Sequence, residues 1–119
     1  MEQYKLGDME KKFAQIIWDN APISSGELVK LCQTQLDWKK STTYTMLRRL
    51  CQRCIFVNDG GTVKTLVSRE DFYAAQSRQF VNDTFSGSLP GFLTAFTKKQ
   101  RLSQQEIDEI QALIDSYKE

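Results

Sequence analysis

Between Ser41 and Cys54 the chain carries apolar residues at the spacing of one helix face and hydrogen-bonding or cationic groups on the other. The stripe is Thr43, Leu47, Leu50, Cys51 and Cys54, at offsets of four, seven, eight and eleven, which is the period of an amphipathic helix lying on a core. The opposite face holds Ser41, Thr42, Thr45, Arg48, Arg49 and Gln52, and no acidic side chain interrupts it. Hydroxyls and guanidinium forks of this kind match the acceptors and donors on base edges and the oxygens of phosphates.

The segments around this stretch place it. Asp8 is positioned to cap a first helix with Met9, Phe13, Ile16 and Ile17 inward and Trp18 near its end, before the break at Asn20-Ala21-Pro22. Ser24 and Glu27 make a capping box opening a second helix with Leu28, Leu31 and Cys32 inward. A turn at Gln35, Leu36 and Asp37 then leads through Trp38, Lys39 and Lys40 into the amphipathic stretch. Two short helices joined by a turn, the second polar and basic, form a helix-turn-helix. The two tryptophans are expected to anchor helix packing and not to stack on bases. After Cys54 the period changes: Ile55 to Val57 and Val63 to Val67 read as strands on either side of an Asn58-Asp59-Gly60-Gly61 turn. This hairpin is a wing, with Thr62 and Lys64 placed to touch phosphates. Tyr44, on the border of the two helix faces, has two roles open to it: packing under the wing, or a hydroxyl contact to DNA.

From Ser68 onward the pattern is helical again. Phe72, Tyr73, Phe80, Val81 and Phe85 lie in one segment, broken at Gly87-Ser88. Leu89, Phe92, Leu93 and Phe96 lie in a second, with Pro90 in its first turn, and Ile107, Ile110, Ile114 and Tyr117 in a third behind a Ser103–Glu106 capping box. Fifty-two residues are too few to enclose so many large apolar groups. The simplest cover is a second copy of the chain, with Phe72, Phe80, Phe85, Leu89, Phe92, Leu93, Phe96, Ile107, Ile110, Ile114 and Tyr117 at the interface. The expected fold is thus mainly α with a small β wing. A winged helix-turn-helix domain would occupy residues 1–67 and a C-terminal helical dimerisation domain residues 68–119.

Charge supports the same division. The 119 residues carry a net charge of +1, but Lys39, Lys40, Arg48, Arg49, Arg53 and Lys64 are opposed by only Asp59 between positions 39 and 64. A cluster of this sign is the footprint of a phosphate-binding surface; a merely solvated helix face is the alternative. Lys39, Lys40, Arg53 and Lys64 are assigned to phosphates, and Ser41, Thr42, Thr45, Arg48 and Arg49 to the groove. No apolar run is long enough to span a bilayer and no signal-peptide pattern opens the chain, so a cytoplasmic protein is expected. Three cysteines fit a reducing compartment. With no histidine, no Gly-rich phosphate loop and no paired carboxylates, the sequence supports neither an enzyme nor a cofactor site. Cys51 and Cys54 form a Cys-x-x-Cys pair; it lacks the further ligands that structural zinc needs, so no metal is expected. A thiol-responsive regulator remains one alternative and a winged-helix protein-interaction module another.

Leu6-Gly7-Asp8-Met9-Glu10, Ile16-Ile17-Trp18, Ala21-Pro22-Ile23-Ser24, Asp37-Trp38 with Thr42 and Arg49-Leu50, Gly87-Ser88-Leu89 and Arg101-Leu102-Ser103 occur in an order and spacing that resemble the penicillinase-repressor (BlaI/MecI) family. The resemblance implies a dimeric transcriptional repressor on an inverted-repeat DNA operator, with an N-terminal winged helix and a C-terminal dimerisation domain. It also implies a sensor-linked protease that cuts before a phenylalanine, at the place occupied here by Ala95-Phe96, although Phe96 equally completes the Leu89-Phe92-Leu93 stripe. Ser41 and Tyr44 stand where familiar members carry lysines, which implies a different operator sequence. Cys54 stands where a glycine commonly ends the recognition helix in a left-handed cap.

Overall fold

The computed structural model describes residues 5–118. In chain order it contains α1 (Asp8–Asn20), β1 (Ile23–Ser24), α2 (Ser25–Leu36), α3 (Lys40–Gln52), β2 (Phe56–Asp59), β3 (Thr62–Thr65), α4 (Arg69–Phe85), α5 (Leu89–Phe96) and α6 (Gln104–Asp115). The chain divides into two compact units, the change falling inside α4 between Gln79 and Phe80.

In the first unit, helices α1 to α3 close over a three-stranded antiparallel sheet of order β1-β3-β2. Phe13, Ile16 and Ile17 of α1, Leu28 and Cys32 of α2, Leu47 and Leu50 of α3, and Ile55, Phe56 and Val63 of the hairpin form one buried cluster. Trp38 packs on Phe13 with ring centroids 5.3 Å apart. Trp18 is ringed by Phe56, Phe72 and Tyr73 at 5.4, 5.5 and 5.9 Å, and its indole N–H donates to the Val67 carbonyl at 2.9 Å. Both tryptophans are therefore packing anchors, as their sequence positions suggest.

Capping chemistry sets the helix starts. Ser24 precedes α2 and its Oγ accepts from the Glu27 N–H at 3.1 Å; the Glu27 carboxylate turns to Lys30 at 3.4 Å. Ser24→Ala leaves an orphan donor and is expected to lower stability by about 1 kcal/mol, measurable as a reduced urea midpoint at unchanged slope. Ser68, Ser88 and Ser103 accept in the same way from Asp71, Gly91 and Glu106 at 3.1, 2.9 and 3.1 Å. Only at Ser103 is the box reciprocal, the Ser103 N–H donating to Glu106 Oε1 at 2.9 Å.

Several expectations are corrected. Gly7, not Asp8, occupies the cap position of α1, and Asp8 is the first helical residue. Met9 is 42 % exposed rather than inward, because the face of α1 that meets the core is centred on Phe13 and Ile17, and Ala14 takes the buried place beside them. The turn of the wing is shorter than expected: Asn58 and Asp59 belong to β2, and Gly60 and Gly61 alone make the reversal, at φ of 59° and 94°. Positive φ at both positions is the type I′ turn, one of the two that suit a two-residue hairpin loop. The Asn58 side chain accepts from the Gly61 N–H at 3.0 Å. Strand β1, paired through Ile23 to Val63 and through Ser24 to Thr62, has no sequence signal, since two residues cannot display an alternating pattern. Phe72 is fully buried in the core of the first unit and is withdrawn from the expected dimer interface. The first turn of α4 lays it against Trp18.

In the second unit, Phe80, Phe85, Phe92 and Phe96 form a chain of rings with centroids 5.6 to 6.0 Å apart. Ser86 and Gly87, at φ of 52° and 82°, end α4 ahead of α5. Neither α5 nor α6 contains a buried residue, while Phe80, Leu89, Phe96, Ile107, Leu113, Ile114 and Tyr117 are all exposed. Phe85, Phe92, Leu93 and Ile110 are half-buried. Among the described residues, no helix is long and apolar enough to cross a membrane.

Candidate nucleic-acid interface

Helix α3 is seated by three side chains: Thr43, Leu47 and Leu50 are buried. Burial pushes the Cys32 thiol above its ordinary range, more strongly than the neighbouring Thr43 hydroxyl pulls it back. The opposite face is open. Ser41, Thr42, Thr45, Arg48 and Arg49 are all exposed, as are Lys39 before the helix and Lys40 at its start. A helix carries partial positive charge at its N-terminus. Here that end bears two lysines, no acidic residue in its first turn and no side-chain cap, an arrangement unfavourable in isolation and favourable once a phosphate sits there.

Tyr44 is half-buried and its hydroxyl donates to Ser25 Oγ at 3.0 Å. This ties α3 to the first turn of α2 and not to the wing. Arg53 departs from its expected assignment. It lies close to Glu10 of α1, Nη1 to Oε2 at 3.5 Å, and donates from Nη2 to the Lys5 carbonyl. At 20 % side-chain exposure it fastens the end of α3 to α1 instead of standing out to meet phosphates. Arg49 shares the same carboxylate at 3.9 Å but keeps 55 % of its side chain exposed. Arg48 forms no ion pair among the described residues. On the wing, Lys64 is exposed and pairs with Asp59 at 3.0 Å across the hairpin; both groups are well solvated, so the pair is weak and easily exchanged for a phosphate. Thr62 is half-buried, held between Ser24 and Asp59 in the sheet register. Sequence reasoning missed Glu10 and Ser25. Glu10 is legible as the third residue of a helix, but nothing local indicates that its partners lie far along the chain.

The end of α3 also corrects the apolar stripe. The helix stops at Gln52, Cys51 is half-buried and Cys54 is exposed, so Cys54 is no part of the packed face. The Ile55 N–H bonds to the Leu50 carbonyl at 3.2 Å and the Cys54 N–H to the Cys51 carbonyl at 3.0 Å, the two bonds of a Schellman motif. Cys54 fills its left-handed position at φ 62°, where glycine is ordinarily favoured. Burial, partly offset by a backbone hydrogen bond from Asn58, pushes the Cys51 thiol up, which disfavours the reactive thiolate. A maleimide time course read by mass spectrometry is expected to modify Cys54 first, Cys51 more slowly and buried Cys32 only on unfolding. Among the described residues, no three histidine, cysteine or carboxylate side chains cluster closely enough to hold a metal ion.

The arrangement is chemically suited to contact: donors, hydroxyls and cations spread over the exposed face of a helix, with a hairpin that presents Lys64 in the same unit. The model of the family described as penicillinase repressor matches residues 6–116. The methicillin resistance regulatory protein MecI of Staphylococcus aureus is 27% identical over 117 residues, covering 94% of each chain. The penicillinase repressor of Bacillus licheniformis is 25% identical over 118 residues, covering 96% of this chain and 92% of the relative, and that of Staphylococcus aureus is 20% identical over 118 residues. A match over nearly the whole length, on an architecture of winged helix followed by short apolar helices, means that the chain belongs to the penicillinase repressor family.

Proposed function

We propose that the protein is a sequence-specific DNA-binding transcriptional repressor that works in the cytoplasm as a homodimer on an inverted-repeat operator. One observation carries the reading: the face of α3 bearing Ser41, Thr42, Thr45, Arg48 and Arg49 is exposed from end to end while its opposite side is buried. In this reading the helix enters a major groove, with the hydroxyls and Arg48 on base edges, and Lys39, Lys40 and Lys64 on flanking phosphates. Thr62 steadies the wing. The apolar residues left exposed on α4, α5 and α6 support a second copy of the chain as their cover, through Phe80, Phe85, Leu89, Phe92, Leu93, Phe96, Ile107, Ile110, Ile114 and Tyr117. Family membership supports repression as the sign of regulation. Release by a sensor-linked protease at Ala95-Phe96 belongs to the same reading, and the exposure of both residues at the end of α5 supports it.

The test is selection of bound fragments from random duplex by the purified protein. A pseudo-palindromic site is expected, its half-sites about 34 Å apart or a multiple of that spacing. Affinity is expected to fall by about 10³- to 10⁵-fold between 50 and 200 mM salt as phosphate contacts release counterions. A protein that prefers no duplex at low salt would overturn the reading.

A further inference from the structure

We propose that Glu10 is a positioning residue that holds Arg49 in reserve, so that the guanidinium is given up to a cognate site but not to any passing phosphate. The inference deepens the DNA-binding reading and rests on it. The two oxygens of Glu10 do different work. Oε1 accepts from the Gly7 N–H at 2.8 Å, closing the first turn of α1, and this fixes the carboxylate relative to its own helix. Oε2 is directed at the far end of α3, with Arg53 at 3.5 Å and Arg49 at 3.9 Å. The carboxylate is only 16 % exposed, so water screens it less than it would a surface acid.

The two arginines are not equivalent. Arg53 is mostly covered and has a second anchor at the Lys5 carbonyl, so it belongs to the fixed half of the cluster. Arg49 is farther from Glu10 and more exposed, which makes it the half that can leave. Its place on α3 gives the departure meaning: Ser41, Thr45 and Arg49 follow one another at four-residue intervals along a single row of the exposed face. While Arg49 faces Glu10, a carboxylate it shares with Arg53, that row ends in a charge that is partly offset. The effect is to lower attraction to phosphates in general, which is independent of sequence, without removing the donor needed where a base edge lies in register.

The experiment uses the full-length protein and two probes, random-sequence duplex and the duplex recovered by selection. Glu10→Gln keeps an acceptor for the Gly7 N–H and removes the charge. On random duplex, its affinity is expected to drop about threefold more than wild type between 50 and 200 mM salt for each protomer engaged, the mark of one added phosphate contact. The ratio of selected to random affinity should fall correspondingly. In an Arg49→Ala background the same change should do nothing. Independently of any variant at Glu10, Arg49→Ala alone should leave the random-duplex salt dependence unchanged while weakening the selected duplex. Thermal midpoints monitor folding throughout. If wild type binds duplex and Glu10→Gln leaves its salt dependence unchanged, weakens binding, or acts equally without Arg49, the role of Glu10 is overturned alone. If Arg49→Ala flattens the random-duplex dependence, the role is likewise overturned. A wild type with no duplex affinity would overturn the DNA reading, and this role with it.

Discussion

Phe72→Ala is expected to lower the unfolding free energy of the first unit by about 3–5 kcal/mol, the cost of emptying a buried aromatic site. Phe72 is fully buried and meets Trp18 and Tyr73 with ring centroids at 5.5 and 5.6 Å. Truncation therefore leaves a cavity lined by rigid rings that cannot close over it. Trp18 is held from its other side by the bond to the Val67 carbonyl, which restricts its collapse into the space. Urea unfolding followed by tryptophan fluorescence is a direct readout, because Trp18 and Trp38 both lie in the first unit. The loss should be the same at every protein concentration. An interface residue would instead give a loss that changes with concentration, since association stabilises by mass action. A concentration-dependent loss, or one within about 0.5 kcal/mol, would contradict the placement of Phe72 in the core.

The second large effect is on binding. Arg48→Ala is expected to weaken the selected duplex by about 1–3 kcal/mol, roughly 5- to 150-fold, and to relax preference at one base position of each half-site. Arg48 is exposed and unpaired among the described residues, on the turn of α3 opposite Leu47 and Leu50. Its removal should consequently leave stability within about 0.5 kcal/mol of wild type. Titration of the selected duplex and of single-base variants checks both parts. Uniform weakening across all sequences would reassign Arg48 to a phosphate. Unchanged affinity would remove it from the interface.

What the sequence displayed about the site was whatever depends on local repetition. The exposed row of α3 could be read because a helix returns every 3.6 residues, so Thr43, Leu47 and Leu50 on one side oblige Ser41, Thr45 and Arg48 onto the other. The capping serines could be read because their bonds reach only three residues onward. The left-handed position of Cys54 was not legible in this way and came only from the family resemblance: past the end of the helix the rotation stops, and the period carried Cys54 onto a packed face to which it does not belong. Met9 marks the opposite edge of that argument. It satisfies the period and yet lies outside the contact area, since periodicity gives a direction around the axis but not the width of the surface that covers it.

The amino-acid sequence by itself determined the helix-turn-helix and wing, the composition of the reading face and the apolar excess of the last three helices, because propensity, capping and periodicity act over a few residues. Only the tertiary structure decided that Phe72 fills the core beside Trp18, that Ile23–Ser24 adds a third strand to the wing, that Tyr44 bonds to Ser25, and that Arg53 and Arg49 turn toward Glu10. Each of these contacts joins residues 19 to 54 positions apart. Nothing in the neighbourhood of either partner encodes which distant group the folded chain will bring to it, since that follows from how whole helices pack.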